Sequence, residues 1–212
     1  MGTKLRRLAH NGSIREIEKE EARPIRYRTI KRNDVSEIQG VARRAWTHTY
    51  GKTVPLAIIN RFLSERYSDR RFERRIFPAI ERGDSQFYLA IDDGRIIGYS
   101  NVRKYRGTWK LERIYLLPEY IGKGVGKKLL LLGERFFRRK RAKKFHAYVY
   151  VKNKRALEFY LRNGFVIMRH KYGNRAEFYL EKNLRHVDQN ARLSVAHLPQ
   201  ISGLPGKSVV SP

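Results

Sequence analysis

The chain has 212 residues, 41% of them hydrophobic and 12% aromatic, which supplies enough apolar mass for one packed domain and argues against wholesale disorder. With no cysteine it excludes disulfides, thiolate metal sites and a cysteine nucleophile, and no apolar run approaches the roughly 20 residues needed to cross a bilayer as a helix. Lys+Arg 47 against Asp+Glu 20 gives a formal charge of +27, a field that draws in polyanions such as nucleic acid, anionic lipid or a polyphosphate cofactor.

Residues 1–22 read as a basic N-terminal arm, in which Ser13 and Glu16 can form a capping box ahead of the polar stretch IREIEKEEA. Lacking an apolar core, this arm is not expected to be a secretory signal, and an intracellular, cytoplasmic protein is the expectation. A single dense domain is predicted over 23–183. IRYRTI (25–30) alternates as a strand does, and Asp34 is expected to cap a helix over VSEIQGVARRAWTHTY. Pro55 opens a second helical stretch, LAIINRFLSERY, and a third follows through Ile80. QFYLAID (86–92) and RIIGYSNVR (95–103) form a hairpin across Asp93-Gly94. The strand TWKLERIYLL is stopped by Pro118, and a glycine-rich turn leads into a helix from Val125 to Lys140 with Val125, Leu129, Leu132 and Phe136 on one face. KFHAYVYV (144–151) is a strand with Phe145, Ala147, Val149 and Val151 inward. Asn153 caps the helix KRALEFYLR, which Asn163-Gly164 ends, and the strands FVIMRH (165–170) and AEFYLE (176–181) close the domain. The stretch 184–212, rich in Pro, Gly and Ser, is predicted to be a mobile tail. This order gives an α/β fold, a mixed sheet with helices packed on it.

The chemistry concentrates around ERIYLLPEYIGKGVGKK (112–128). Gly122, Gly124 and Gly126 let backbone approach a ligand, and the amides of the helix's first turn carry the positive end of its dipole, so the turn suits a pyrophosphate. Lys123, Lys127 and Lys128 add charge around it. The spacing matches neither a Walker A loop nor a G-x-G-x-x-G dinucleotide turn.

ERIYLLPEYIGKGVGKKLL, the strand after it and KNKRALEFYLRNGFV together resemble the GCN5-related N-acetyltransferases (the GNAT superfamily) over about 60 residues, and the order of elements fits that family across 23–183. Gly124-x-Gly126 match the family turn, whereas Ile121 stands where Gln or Arg is usual. The resemblance implies acetyl-CoA as co-substrate and no metal. The backbone of Ile114, Tyr115 and Leu116 would pair with the pantetheine amides, and Gly122, Lys123, Gly124, Val125, Gly126 and Lys127 would cradle the pyrophosphate. It gives Asn153 a cofactor contact besides its capping role, and makes Tyr160, otherwise a core aromatic, the acid that protonates the departing thiolate. The segment WTHTYGKTVPLAIINRFLSERYS is similar to the acceptor-side helices of PaiA-like polyamine acetyltransferases, which would put Trp46, His48 and Tyr50 at the acceptor entrance rather than in helix packing alone.

Attack by an amine requires that a base remove its proton, since an amine of pKa near 10.4 is neutral in only about one molecule in 2,500 at pH 7. Glu112, two positions before Ile114, shares its side of a regular strand and is the candidate base; its plain alternative is a salt-bridged carboxylate beside Arg113. Two function classes follow. One is transfer of acetyl from acetyl-CoA to a primary amine of a small molecule, polyamine or protein. The other is a basic nucleic-acid- or ribosome-associated binding protein on the same scaffold, with FFRRKRAKK (136–144) as its electrostatic footprint or simply a solvated helix end.

Overall fold

A computed structural model describes residues 24–168 and 177–184; the predicted N-terminal arm and the tail beyond Leu184 lie outside the described residues. Strand β1 (Arg26–Thr29) leads through a short 3-10 turn into α1 (Val35–Tyr50), followed by α2 (Leu56–Arg66). The third helical stretch is composite: α3 (Asp69–Arg71), a π-helical turn (Phe72–Ile76) and α4 (Phe77–Glu81). Next come β2 (Ser85–Asp92), β3 (Arg95–Tyr105), β4 (Thr108–Leu116), α5 (Val125–Arg139), β5 (Lys144–Tyr150), α6 (Lys154–Arg162), β6 (Val166–Met168) and β7 (Glu177–Asn183).

The sheet runs β1-β2-β3-β4-β5-β7-β6. Every neighbouring pair is antiparallel except β4 and β5, which are parallel. Consecutive residues of β3 show which helices cover which face. The Tyr99 hydroxyl donates to that of Tyr67 beyond α2, whereas the Ser100 hydroxyl donates to the Leu129 carbonyl of α5. Helices α1–α4 therefore lie on one face and α5 on the other, as strand alternation requires.

Hydrophobic spacing accounts for the helices. α1 buries Val35, Ile38, Val41, Ala42 and Ala45, with Trp46 half-buried at the edge. α5 buries Val125, Leu129 and Phe136 as its periodicity predicts, and adds Leu130 and Phe137 where Leu132 is only half-buried. Phe137, Phe145 and Phe165 stack in series with centroids 4.7 and 5.1 Å apart, tying α5 to β5 and to the end of α6. Burying each such ring contributes roughly 1.5–3 kcal/mol. Val151 falls just past the end of β5.

Asp34 does not cap α1. Its backbone is already helical, and its carboxylate instead accepts two bonds from the Arg28 guanidinium, at 2.6 and 2.7 Å, and one from the Lys31 amide at 2.6 Å. A bidentate charge-assisted pair outcompetes a single amide bond for the same oxygens. No helix among the described residues is long and apolar enough to cross a membrane.

Candidate active site

The parallel join between β4 and β5 is short. One register pair, Lys110 with His146, links them; beyond it β4 pairs only with β3 and β5 only with β7. The two strands thus splay from a vertex at His146, and the edge of β4 at Ile114, Tyr115 and Leu116 meets no strand among the described residues. An unpaired strand edge presents amide hydrogens and carbonyls at strand spacing, which an extended amide-bearing ligand can occupy as a further strand would.

The open edge leads directly into the glycine turn. Pro118–Tyr120 forms a 3-10 turn held at both sides: the Tyr120 hydroxyl donates to Asp92 at 2.7 Å, and Arg44 pairs with Glu119 at 3.0 Å. Gly122 and Gly124 have φ of +86° and +79°, the left-handed region that costs an L side chain strain, and a Cβ on either would meet nothing within 4 Å. The space before the turn is open. The first turn-closing bond of α5 runs from the Lys128 amide to the Gly124 carbonyl at 3.1 Å, so the amides of Val125, Gly126 and Lys127 precede the helical ladder. Three amide donors ahead of the helical ladder, at the positive end of a 15-residue helix with exposed Lys123 and Lys127 beside them, have the charge and geometry to hold a diphosphate. The residues present fit the charge and the extended shape of a coenzyme A molecule.

Across the splay, α6 begins at Asn153, whose side-chain oxygen accepts from the Ala156 amide at 3.1 Å while its nitrogen donates to the Tyr50 hydroxyl at 3.2 Å. Asn153 caps the helix and also ties the end of α1 to it. Tyr160, further along α6, is buried against Phe159 and Phe165. Burial, and secondarily the nearby Tyr50, pushes its phenol above the ordinary range, and its hydroxyl takes no hydrogen bond from the described residues. It therefore keeps its proton at neutral pH.

On the opposite side, Trp46 stacks on Phe62 at 4.3 Å and tilts against Tyr50 and Tyr115 at 4.8 and 6.1 Å. Its indole Nε1 is buried with no acceptor among the described residues, so this aromatic wall offers one unused donor. Trp46 and Tyr50 reach the site; His48 is exposed on α1 and joins none of these contacts.

Glu112 departs from the strand alternation expected of it. Leu111 pairs with Val102 and Arg113 with the preceding residue, Asn101, so Glu112 is the extra residue of a β-bulge. Ile114, opposite Ser100, lies on the α5 face, whereas Glu112 and Arg113 both line a cavity on the α1–α4 face. Glu112 and Ile114 therefore do not share a side, because a bulge reverses alternation within one residue. Burial pushes the Glu112 carboxyl up, but Lys110 at 3.0 Å, with Arg113 and Arg103 behind it, outweighs burial and holds it below the usual carboxylate range. The neighbouring Arg113, the salt-bridge partner that the plain alternative for Glu112 pointed to, is buried under the Tyr67 ring at 4.5 Å and donates to the Arg66 carbonyl at 3.1 Å, while Lys110 is the carboxylate's closest partner. Among the described residues no cluster of His, Asp or Glu could hold a metal ion.

Residues 55–165 match the family model described as the acetyltransferase (GNAT) family. The chain is 30% identical over 143 residues to a spermidine N(1)-acetyltransferase of Thermoplasma acidophilum, a match covering 68% of this chain and 89% of the relative. Its structure resembles that of the PaiA N-acetyltransferase of Thermoplasma acidophilum solved in complex with coenzyme A, with a TM-score of 0.70 and 29% identity over 76% of this chain and 99% of that one. A GNAT-family acetyltransferase of Staphylococcus aureus shares the fold at 16% identity, with a TM-score of 0.62 over 76% of this chain and 100% of that one. The chain belongs to the acetyltransferase (GNAT) family: it is an N-acetyltransferase, and acetyl-CoA is its acyl donor.

Proposed function

We propose that the chain acetylates a primary amine by direct attack on the thioester, with Glu112 as base and Tyr160 as acid. The observation that carries this reading is the splayed β4 edge opening straight into a turn of unpaired amides. Bound acetyl-CoA supplies an acyl group already activated as a thioester. The backbone of Ile114, Tyr115 and Leu116 holds the pantetheine arm along the open edge, and the amides from Gly122 through Lys127 hold the diphosphate. Ile121, exposed beside the turn, adds no polar side chain, which leaves Lys123 and Lys127 to supply the side-chain charge. Asn153 sets the start of α6 against the donor and fixes the Tyr50 hydroxyl.

Proton movement falls to two groups held in opposite states. Glu112, kept ionised by Lys110, takes the proton of the incoming ammonium directly or through a water. Tyr160, kept protonated by burial, gives its proton to the departing sulfur. Two groups pushed toward opposite protonation states are what an acid–base pair needs.

The amine's parent molecule is the finer question. The relative named for spermidine supports a polyamine, as do the helices bearing Trp46 and Tyr50. A donor as highly charged as acetyl-CoA does not diffuse across a bilayer, which favours the cytoplasm. No observation favours the nucleic-acid reading: within FFRRKRAKK, Arg138 pairs with Glu134, Lys144 with Glu181, and Arg139 donates to the Tyr88 hydroxyl. Calorimetry with acetyl-CoA, followed by labelled acetyl transfer to a panel of amines, polyamines and peptides, tests the reading. Saturable binding and transfer are expected; no heat with acetyl-CoA would sink it.

A further inference from the structure

The bulge at Glu112 opens onto a cavity of about 250 Å³ between β3, β4 and the α3–α4 stretch. Its charged lining is six arginines, Arg71, Arg74, Arg75, Arg82, Arg103 and Arg113, and a single carboxylate, Glu112. That carboxylate is already paired with Lys110. Among the described residues only Arg82 of the six has a carboxylate partner, Asp84 at 3.5 Å. Arg113 is buried, its close contacts are a ring face and a carbonyl, and the one carboxylate that favours its charge, Glu112, is held at 3.0 Å by Lys110. Arg71 shows the crowding: burial, then the like charges of Arg113, Arg66 and Arg75, press its pKa below the ordinary guanidinium value. Guanidinium groups stay ionised at any accessible pH, so the repulsion that the one shared carboxylate, Glu112, leaves over is relieved when an anion enters.

The floor is built. Ser85 and Asn101 are buried there, with the Asn101 amide donating to the Ser85 hydroxyl at 3.0 Å and that hydroxyl to the Val102 carbonyl at 2.9 Å. The space corresponds to about eight waters at ~30 Å³ each, enough for a carboxylate or phosphate and the few carbons attached to it. It is not the donor's site. The glycine cradle follows the C-terminal end of β4, and Ile114 faces α5, whereas the cavity lies at the bulge on the other face. Glu112 joins the two regions, since it lines the cavity and stands only two residues, about 7 Å, before the open edge at Ile114.

We propose that this arginine cavity binds the carboxylate or phosphate of an anionic acceptor whose primary amine lies at Glu112. The proposal rests on the acetyl-transfer reading for the position of the amine and, within it, sets amines that carry an acid group in place of a polyamine as the acceptor. Planar, forked guanidinium groups match the oxygens of a carboxylate or phosphate and repel a polyammonium chain. Substrate choice is thereby set by side chains from 71–75, Arg103 and Arg113, not by the donor site.

Matched amines that differ by one acid group test it: ethanolamine against phosphoethanolamine, and cadaverine against lysine, with spermidine alongside. Calorimetry in the presence of CoA and initial rates with acetyl-CoA are measured for the wild type and for Arg75→Gln and Arg103→Gln. The acid-bearing member of each pair is expected to bind and react at least tenfold better. That preference should fall at least fivefold in each variant while CoA affinity stays within twofold. Equal affinity within each pair, or preference for spermidine, overturns the proposal and leaves the acetyltransferase reading standing. Phosphoethanolamine that binds no better than inorganic phosphate and is never acetylated also overturns it, showing an effector site instead. Loss of CoA binding in the wild type would strike the functional reading alone, and the calorimetric comparison of the pairs without CoA would still decide the cavity.

Discussion

Burial holds the proton on Tyr160, with Tyr50 adding to the effect, and no side chain among the described residues competes for it. Removing only the hydroxyl leaves the ring packing on Phe159 and Phe165 intact, so Tyr160→Phe should fold normally. Its turnover should drop about 100-fold, the lower end of what a positioned acid contributes, with acetyl-CoA affinity within twofold. Single-turnover rates beside calorimetry check this, and undiminished turnover would remove Tyr160 from the chemistry. Gly124 is tested differently, because its demand is on backbone. An alanine there meets no neighbour within 4 Å and carries only the cost of φ +79°, so Gly124→Ala should lose about 1 kcal/mol of stability by urea titration. Gly124→Glu carries the same strain and sets a carboxylate before the amide cradle. It should abolish acetyl-CoA binding while losing no more stability than the alanine variant, and retained binding would show that the diphosphate lies elsewhere.

At the scale of elements, the splay depends on its vertex, where His146 pairs with Lys110. Burial, then the Lys110 charge, lowers the pKa of His146 from 6.5 to about 4. The unfolded chain takes up that proton near pH 6.5 and the folded one only near 4, so the stability due to neutral His146 is full above pH 6.5 and lost progressively between 6.5 and 4. Denaturant titrations should show that slope in the wild type and a flatter one in His146→Gln; identical slopes would refute the assignment. Asp34 acts lower. Burial raises its pKa, but Arg28 and the Lys31 amide lower it further, so its contribution persists above its ordinary pKa and disappears only as pH falls through the folded value below that. Asp34→Asn should cost about 1–3 kcal/mol at pH 7 and progressively less as pH falls below the ordinary carboxylate range, measured by the same titrations. These elements also divide what sequence makes legible from what it does not. The Asp93-Gly94 hairpin, the glycine turn and the Asn153 cap are written in adjacent residues, and each appears where local chemistry placed it. Asp34 has two competing partners, and the winner, Arg28, comes from another element. The bulge at Glu112 is a register event between strands, invisible to a rule that assumes unbroken alternation. The arginine cavity gathers side chains from positions 71 to 113, and only the fold brings them together.

A molecule carrying +27 repels itself as it compacts and attracts a polyanionic donor from a distance, and added salt acts on both effects through the same screening. The Debye length shrinks from about 30 Å at 0.01 M to about 8 Å at 0.15 M, so most repulsion between charges on opposite sides of the domain is removed across that range. Folding stability should therefore rise with sodium chloride. The local pairs that hold the structure are affected less: Arg28–Asp34 and Lys182–Glu134 sit at 2.6 Å with one partner buried in each, where screening is weak. Donor capture responds in the opposite direction. Its approach is steered by the summed field as well as by Lys123 and Lys127, so the association rate of acetyl-CoA should fall several-fold between 0.01 and 0.15 M salt. The dissociation rate, set by amides of the glycine turn in contact with the diphosphate, should change much less. Stopped-flow binding and thermal melts over one salt series measure the two trends together. A melting temperature that falls with salt would mean that local ion pairs outweigh global repulsion. An association rate insensitive to salt would mean that the positive field plays no part in bringing the donor to the cleft.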